Sequence, residues 1–133
     1  MKNNFLINLA ACALFVVFTP KTSTLQAQNK STTIPIKMNT VTNNCGSKAP
    51  DVKADSLTLV EEENKIRLTI EGLPTIGGDK NPKGKLRLTA KNSSARYSAN
   101  GRRKEDALRL VLIIEHFAGN KPTCTQSFSI HNS

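Results

Sequence analysis

Few side chains in this 133-residue sequence have the types and spacing that chemistry demands. The two histidines, His116 and His131, belong to no Ser-His-Asp order, G-x-S-x-G elbow or H-E-x-x-H pair. No P-loop, G-x-G-x-x-G or C-x-x-C is present. A copper site of the small β-sandwich type needs a thiolate clustered with two histidines, and that clustering is missing. Carboxylates gather at Glu61-Glu62-Glu63 and at Asp51 and Asp55. A glycosidase pair, however, works across a cleft that usually holds aromatics, and this chain has one Tyr and no Trp. The acidic cluster therefore reads as a solvated turn. The expectation is a protein that is not an enzyme and holds neither metal nor cofactor.

Cations are the more informative group. The formal net charge is +9. The segment from Lys80 to Lys104 contains Lys80, Lys83, Lys85, Arg87, Lys91, Arg96, Arg102, Arg103 and Lys104, and no acid. Lys85, Arg87 and Lys91 fall on the polar face of one strand pattern. Arg102, Arg103 and Lys104 follow Asn100-Gly101, which reads as a tight turn. Face and loop together would form a basic patch that attracts polyanions in a salt-dependent way. The plainer reading is a solvated face whose charges blunt a sheet edge. Nine like charges without one acid exceed what solubility requires, which keeps the functional reading open.

Cysteines and the N-terminus set the compartment. Lys2 precedes an apolar run from Phe5 to Phe18 that is too short to span a bilayer comfortably, and Pro20 ends it. That is the form of a secretory signal peptide over residues 1–27, with Ala27 before the cut. An uncleaved anchor competes with it. Leu9-Ala10-Ala11-Cys12 resembles a bacterial lipobox, which would place a lipid on Cys12, although the apolar run continues past it. Cleavage after Ala27 leaves 106 residues, a charge of +7, and two cysteines, Cys45 and Cys124. An even count in an exported chain predicts a disulfide between them. Zinc ligation would call for close pairs, and neither has one.

The elements that must position these groups read as strands. Lys65–Glu71 and Lys85–Lys91 alternate apolar and polar residues without a break. Leu57, Leu59 and Glu61 line one face of a strand over 56–61. Ile34, Ile36 and Met38 do so over 32–38, where Pro35 argues for an edge. Ala95–Ala99 is a short strand before the Asn100-Gly101 turn. Leu108–Glu115 is apolar on both parities, which suits a central strand covered on both faces; a buried helix is the alternative. Cys124, Gln126, Phe128 and Ile130 face inward on a last strand. Residues 72–84, with Pro74, Gly77-Gly78 and Pro82, read as a long loop.

The combined expectation is an all-β fold: one small antiparallel β-sandwich over 28–133, immunoglobulin-like or similar, with about seven strands and one disulfide. A small β-barrel is the alternative. The buried Trp of immunoglobulin domains is missing. Residues 28–32 should be mobile, and the disulfide should hold a weakly patterned stretch, 28–54, against the core. The predicted function is a secreted or periplasmic binding module whose basic face meets lipopolysaccharide, an acidic glycan or an acidic protein. Nucleic acid is disfavoured because stacking aromatics are scarce. A membrane role would require an uncleaved leader or lipid on Cys12. The alternative is an inhibitor or accessory protein that presents loop 72–84, with Gly77-Gly78 as a wedge, to a partner enzyme.

Overall fold

The computed structural model describes residues 29–105 and 107–133. The expected signal peptide over 1–27, with Cys12 and the expected cut after Ala27, lies outside the described residues. Eight strands follow one another: β1 Lys30–Asn43, β2 Ser56–Glu61, β3 Lys65–Ile70, β4 Ile76–Asp79, β5 Lys85–Lys91, β6 Ala95–Lys104, β7 Ala107–Ala118 and β8 Lys121–Asn132. One 3₁₀ turn, Gly46–Lys48, sits between β1 and β2. Each strand pairs antiparallel with the next, and β8 pairs with β1, so the sheet closes into an up-and-down barrel. The expected sandwich is corrected to its alternative, the small barrel.

The alternating segments explain the inside. Leu57 and Leu59, Ile66, Leu68 and Ile70, Leu86 and Leu88, Leu108 to Ile114 on even positions, and Phe128 and Ile130 all enter one apolar core. Burying each such side chain contributes about 1.5–3 kcal/mol. The opposite parity carries Lys65, Arg67, Lys85, Arg87, Arg102 and Arg109, all exposed. A charged exterior around an apolar interior is the reverse of a membrane-spanning barrel, whose outer band is apolar.

Closure depends on β1. Its first half pairs with β2, from Lys30 opposite Glu61 to Pro35 opposite Ser56. Its second half pairs with β8, from Ile36 opposite Asn132 to Asn43 opposite Gln126. Pro35 sits where the strand changes partner. Its carbonyl accepts the Ser133 N–H, and Ile36 resumes donation by bonding Asp55 O at 2.9 Å. The proline thus marks a changeover between partners, because a closed barrel has no edge. Residues 30–32 are strand, paired with Glu61, Val60 and Leu59.

Three further expectations change. Residues 72–84 are not one loop: Ile76–Asp79 forms β4, with Gly77-Gly78 inside it and Gly78 opposite Ile66. Asn100-Gly101 is not a turn. It lies within β6, which runs on to Lys104, and the chain reverses beside Glu105 at φ 54°. Gly101 is required there because a Cβ would run into the Arg109 carbonyl on β7. Strand β7 is likewise covered on only one face, with Val111 44% exposed on the other.

The predicted disulfide is present. Cys45 and Cys124 are bonded with Cα atoms 5.0 Å apart and lie 79 positions apart in sequence. It ties the segment after β1 to the start of β8. Of the region 28–54, only residues 44–54 depend on it in this way, since β1 itself is held by two neighbours.

Candidate anion-binding face

The nine predicted cations do not form one patch. Three of them are drawn off into ion pairs. Glu61, at the end of β2, accepts from Arg103 Nη1 at 2.8 Å and lies 3.5 Å from Lys80 Nζ. Arg103 faces this barrel end because it has the inward parity of β6, one residue on from Arg102. Its backbone N–H also bonds Gly84 O at 2.8 Å, and Gly84 is held at φ +81° where a Cβ would meet the Arg103 carbonyl. Arg96 points outward but has Glu115 opposite at 3.6 Å and the Phe117 ring at 5.3 Å. Lys83 lies in the β4–β5 connection, Lys91 sits opposite Arg96, and Lys104 sits by the β6–β7 hairpin, all exposed.

Lys85 and Arg102 fall into line with basic residues from elsewhere in the chain. Lys85 is opposite Arg102, Arg102 is opposite Arg109, Arg109 is opposite His131, and His131 is opposite Lys37. Directly opposed residues on antiparallel neighbours stand about 5 Å apart at Cα. The result is a row of basic side chains across the outer face of β5, β6, β7, β8 and β1. The adjoining row is Arg87, Asn100, Val111, Ser129 and Asn39. Over β5–β8 the two rows line a trough of about 770 Å³, and none of its lining residues is acidic. Among the described residues, Lys85, Arg87, Arg102 and Arg109 have no ion pair.

Three members of this row, Lys37, Arg109 and His131, were missed by sequence reasoning. Arg109 stood in a run read as covered on both faces, and Lys37 and His131 lie at opposite ends of the chain. What connects them is the β7–β8–β1 register. The two odd-parity charges in β7, Arg109 and Glu115, were the sign that its outer face is wet.

Scans against family models, curated proteins and solved structures each find no match. The site therefore has to be read from its own residues.

Paired arginines on adjacent strands suit oxyanions. A guanidinium offers a rigid donor fork that matches carboxylate, sulfate or phosphate, and charge-assisted bonds of this kind are roughly twice as strong as neutral ones. Like charges directly opposite one another destabilise a sheet by about 0.2–1 kcal/mol per pair. An anion laid along the row would remove that repulsion.

A second chemistry-bearing group lies at the other end of the barrel. His116 and Cys124 are cross-strand neighbours, and ligand atoms of Cys45, His116 and Cys124 fall within 4.8 Å of one another. The two sulfurs are bonded to each other, so they supply no thiolate for a metal. The close Cys/His spacing sought in the sequence arises here between strands. No described helix is long and apolar enough to cross a membrane. The disulfide is compatible with an extracellular or periplasmic protein.

Proposed function

We propose that this protein is an exported, non-catalytic module that binds an anionic partner through the outer face of β5–β8 and β1. The supporting observation is the cross-strand row Lys85–Arg102–Arg109–His131–Lys37, with no acid along its trough. The row narrows the binding residues relative to the whole 80–104 segment. Lys85, Arg87, Arg102 and Arg109 carry the interaction; Lys80, Arg96 and Arg103 have their own partners. The partner class is an acidic envelope glycan, such as lipopolysaccharide with its phosphates, or a similar extracellular polyanion. Gly77-Gly78 is strand, so that pair does not supply the loop wedge on which the inhibitor reading rested.

Chromatography on an immobilised polyanion tests the proposal. The double variant Arg102→Gln/Arg109→Gln should elute at markedly lower salt than the wild type. The control Lys48→Gln/Lys53→Gln removes the same charge from the disulfide end and should elute close to the wild type. Equal shifts for the two variants would show that only net charge matters and would overturn the site.

A further inference from the structure

The barrel mouth at the disulfide end contains two polar side-chain atoms with no hydrogen-bond partner among the described residues. The pocket there has a volume of about 570 Å³. Tyr97 and Ile114, which are directly paired on β6 and β7, supply part of its wall, with His116 and Gln126 beside them. Residues 48–53 and the turn after β3 complete it. Cys45, which precedes residues 48–53, is bonded to Cys124, so the disulfide anchors that part of the wall.

Gln126 is 1% exposed, and both ends of its amide are hydrogen-bonded. Its Nε2 donates to Pro50 O at 3.2 Å, which settles the orientation of the amide. Its Oε1 then faces His116 Nε2 at 2.9 Å and must accept. The network therefore places the imidazole hydrogen on Nε2 and leaves Nδ1 of the neutral ring as an acceptor. Nδ1 has no partner among the described residues. Tyr97 is only 8% exposed, and its hydroxyl likewise has no hydrogen-bond partner among them. Buried polar groups in folded proteins are nearly always bonded, so the Tyr97 hydroxyl calls for an explanation, whereas His116 is half-buried and its Nδ1 stays open to a ligand.

We infer that this mouth is a binding site for a small neutral ring compound of the cyclic-amide type. Such a molecule offers an N–H to His116 Nδ1 and a carbonyl to the Tyr97 hydroxyl, while its apolar face lies against Ile114 and Leu73. Rim charges argue for a neutral ligand, since Lys48 and Lys53 are matched by Asp51 and Glu71. The volume lies in the range of about 300–1,000 Å³ typical of small-molecule pockets, and the mouths of β-barrels are a recurrent place for them. This site is independent of the basic row, which lies on the outer face.

The probe is 2-quinolinone, with N-methyl-2-quinolinone as the analogue that lacks the donor. Calorimetry on the intact, disulfide-bonded protein should show saturable binding of 2-quinolinone. Tyr97 is the sole tyrosine and the chain has no Trp, so a saturable change in protein fluorescence would report from the pocket itself. Tyr97→Phe removes only the hydroxyl and should weaken binding about fivefold, the worth of one neutral hydrogen bond. The N-methyl analogue should bind the wild type more weakly by a similar factor, and His116→Ala should abolish that discrimination. Absence of saturable binding up to the solubility limit would overturn the proposal. So would equal affinity of wild type and Tyr97→Phe, or equal affinity of the two probes for the wild type.

Discussion

Arg102 and Arg103 are consecutive residues with opposite circumstances. Arg103 turns to the barrel end, is 20% exposed, and bonds a Glu61 carboxylate that also faces Lys80. Arg102 turns outward between Lys85 and Arg109 and meets only cations. The first arrangement holds strands together: Glu61 on β2, Lys80 after β4 and Arg103 on β6 converge where the strand ends meet. The second opposes folding and needs another reason to persist. One parity step along β6 thus separates a charge that serves the fold from a charge free to meet a partner.

The sharpest way to break this comparison is to remove the shared acid. Glu61→Ala leaves Arg103 half-buried and unpaired, and should lower stability by about 1–3 kcal/mol in urea unfolding. Polyanion retention of this variant should not fall, because the row is intact. Arg103→Gln should also destabilise, by about 1 kcal/mol, with little change in retention. The outer row should respond in the opposite sense. Arg102→Gln/Arg109→Gln should lose retention yet raise the urea midpoint, by a gain of about 0.2–1 kcal/mol as like-charge repulsion is relieved. A loss of stability in that double variant would mean that the row contributes to the fold, and the contrast with Arg103 would collapse.

The same contrast shows what could be read from the chain alone. Period-two alternation located β2, β3, β5 and β8 and their inward faces, because a half-buried strand imposes that pattern directly. The disulfide followed from cysteine arithmetic. Barrel closure did not follow, since it rests on the pairing of Ile36–Asn43 with Gln126–Asn132, residues some ninety positions apart with no local sign of their register. Asn100-Gly101 misled for a physical reason. The dipeptide is a strong turn signal, but here the glycine lets β6 pass close to the Arg109 carbonyl. Reading it as a turn put Arg102, Arg103 and Lys104 in one loop and hid the alternation that divides them. The short β4, four residues containing Gly77-Gly78, carries too little apolar pattern to be distinguished from loop.

The smallest effect concerns a charge pair of a third kind, joined but exposed. Lys65 on β3 donates to Asp79 on β4 at 2.7 Å, with the two side chains 61% and 84% exposed. The hydrogen bond from Lys65, and then its charge, hold the Asp79 carboxyl below the usual aspartate range. A carboxylate whose folded value is depressed stabilises the fold fully above its unfolded value, and that contribution is lost as pH falls through the folded one. Wild type should therefore lose slightly more stability than Asp79→Asn as pH falls from about 5 to 2, while the two remain close at neutral pH, where surface pairs contribute little. Urea midpoints measured across that range would read the difference. Parallel profiles would mean that exposure cancels the pair, in contrast to the half-buried pair that Arg103 makes with Glu61.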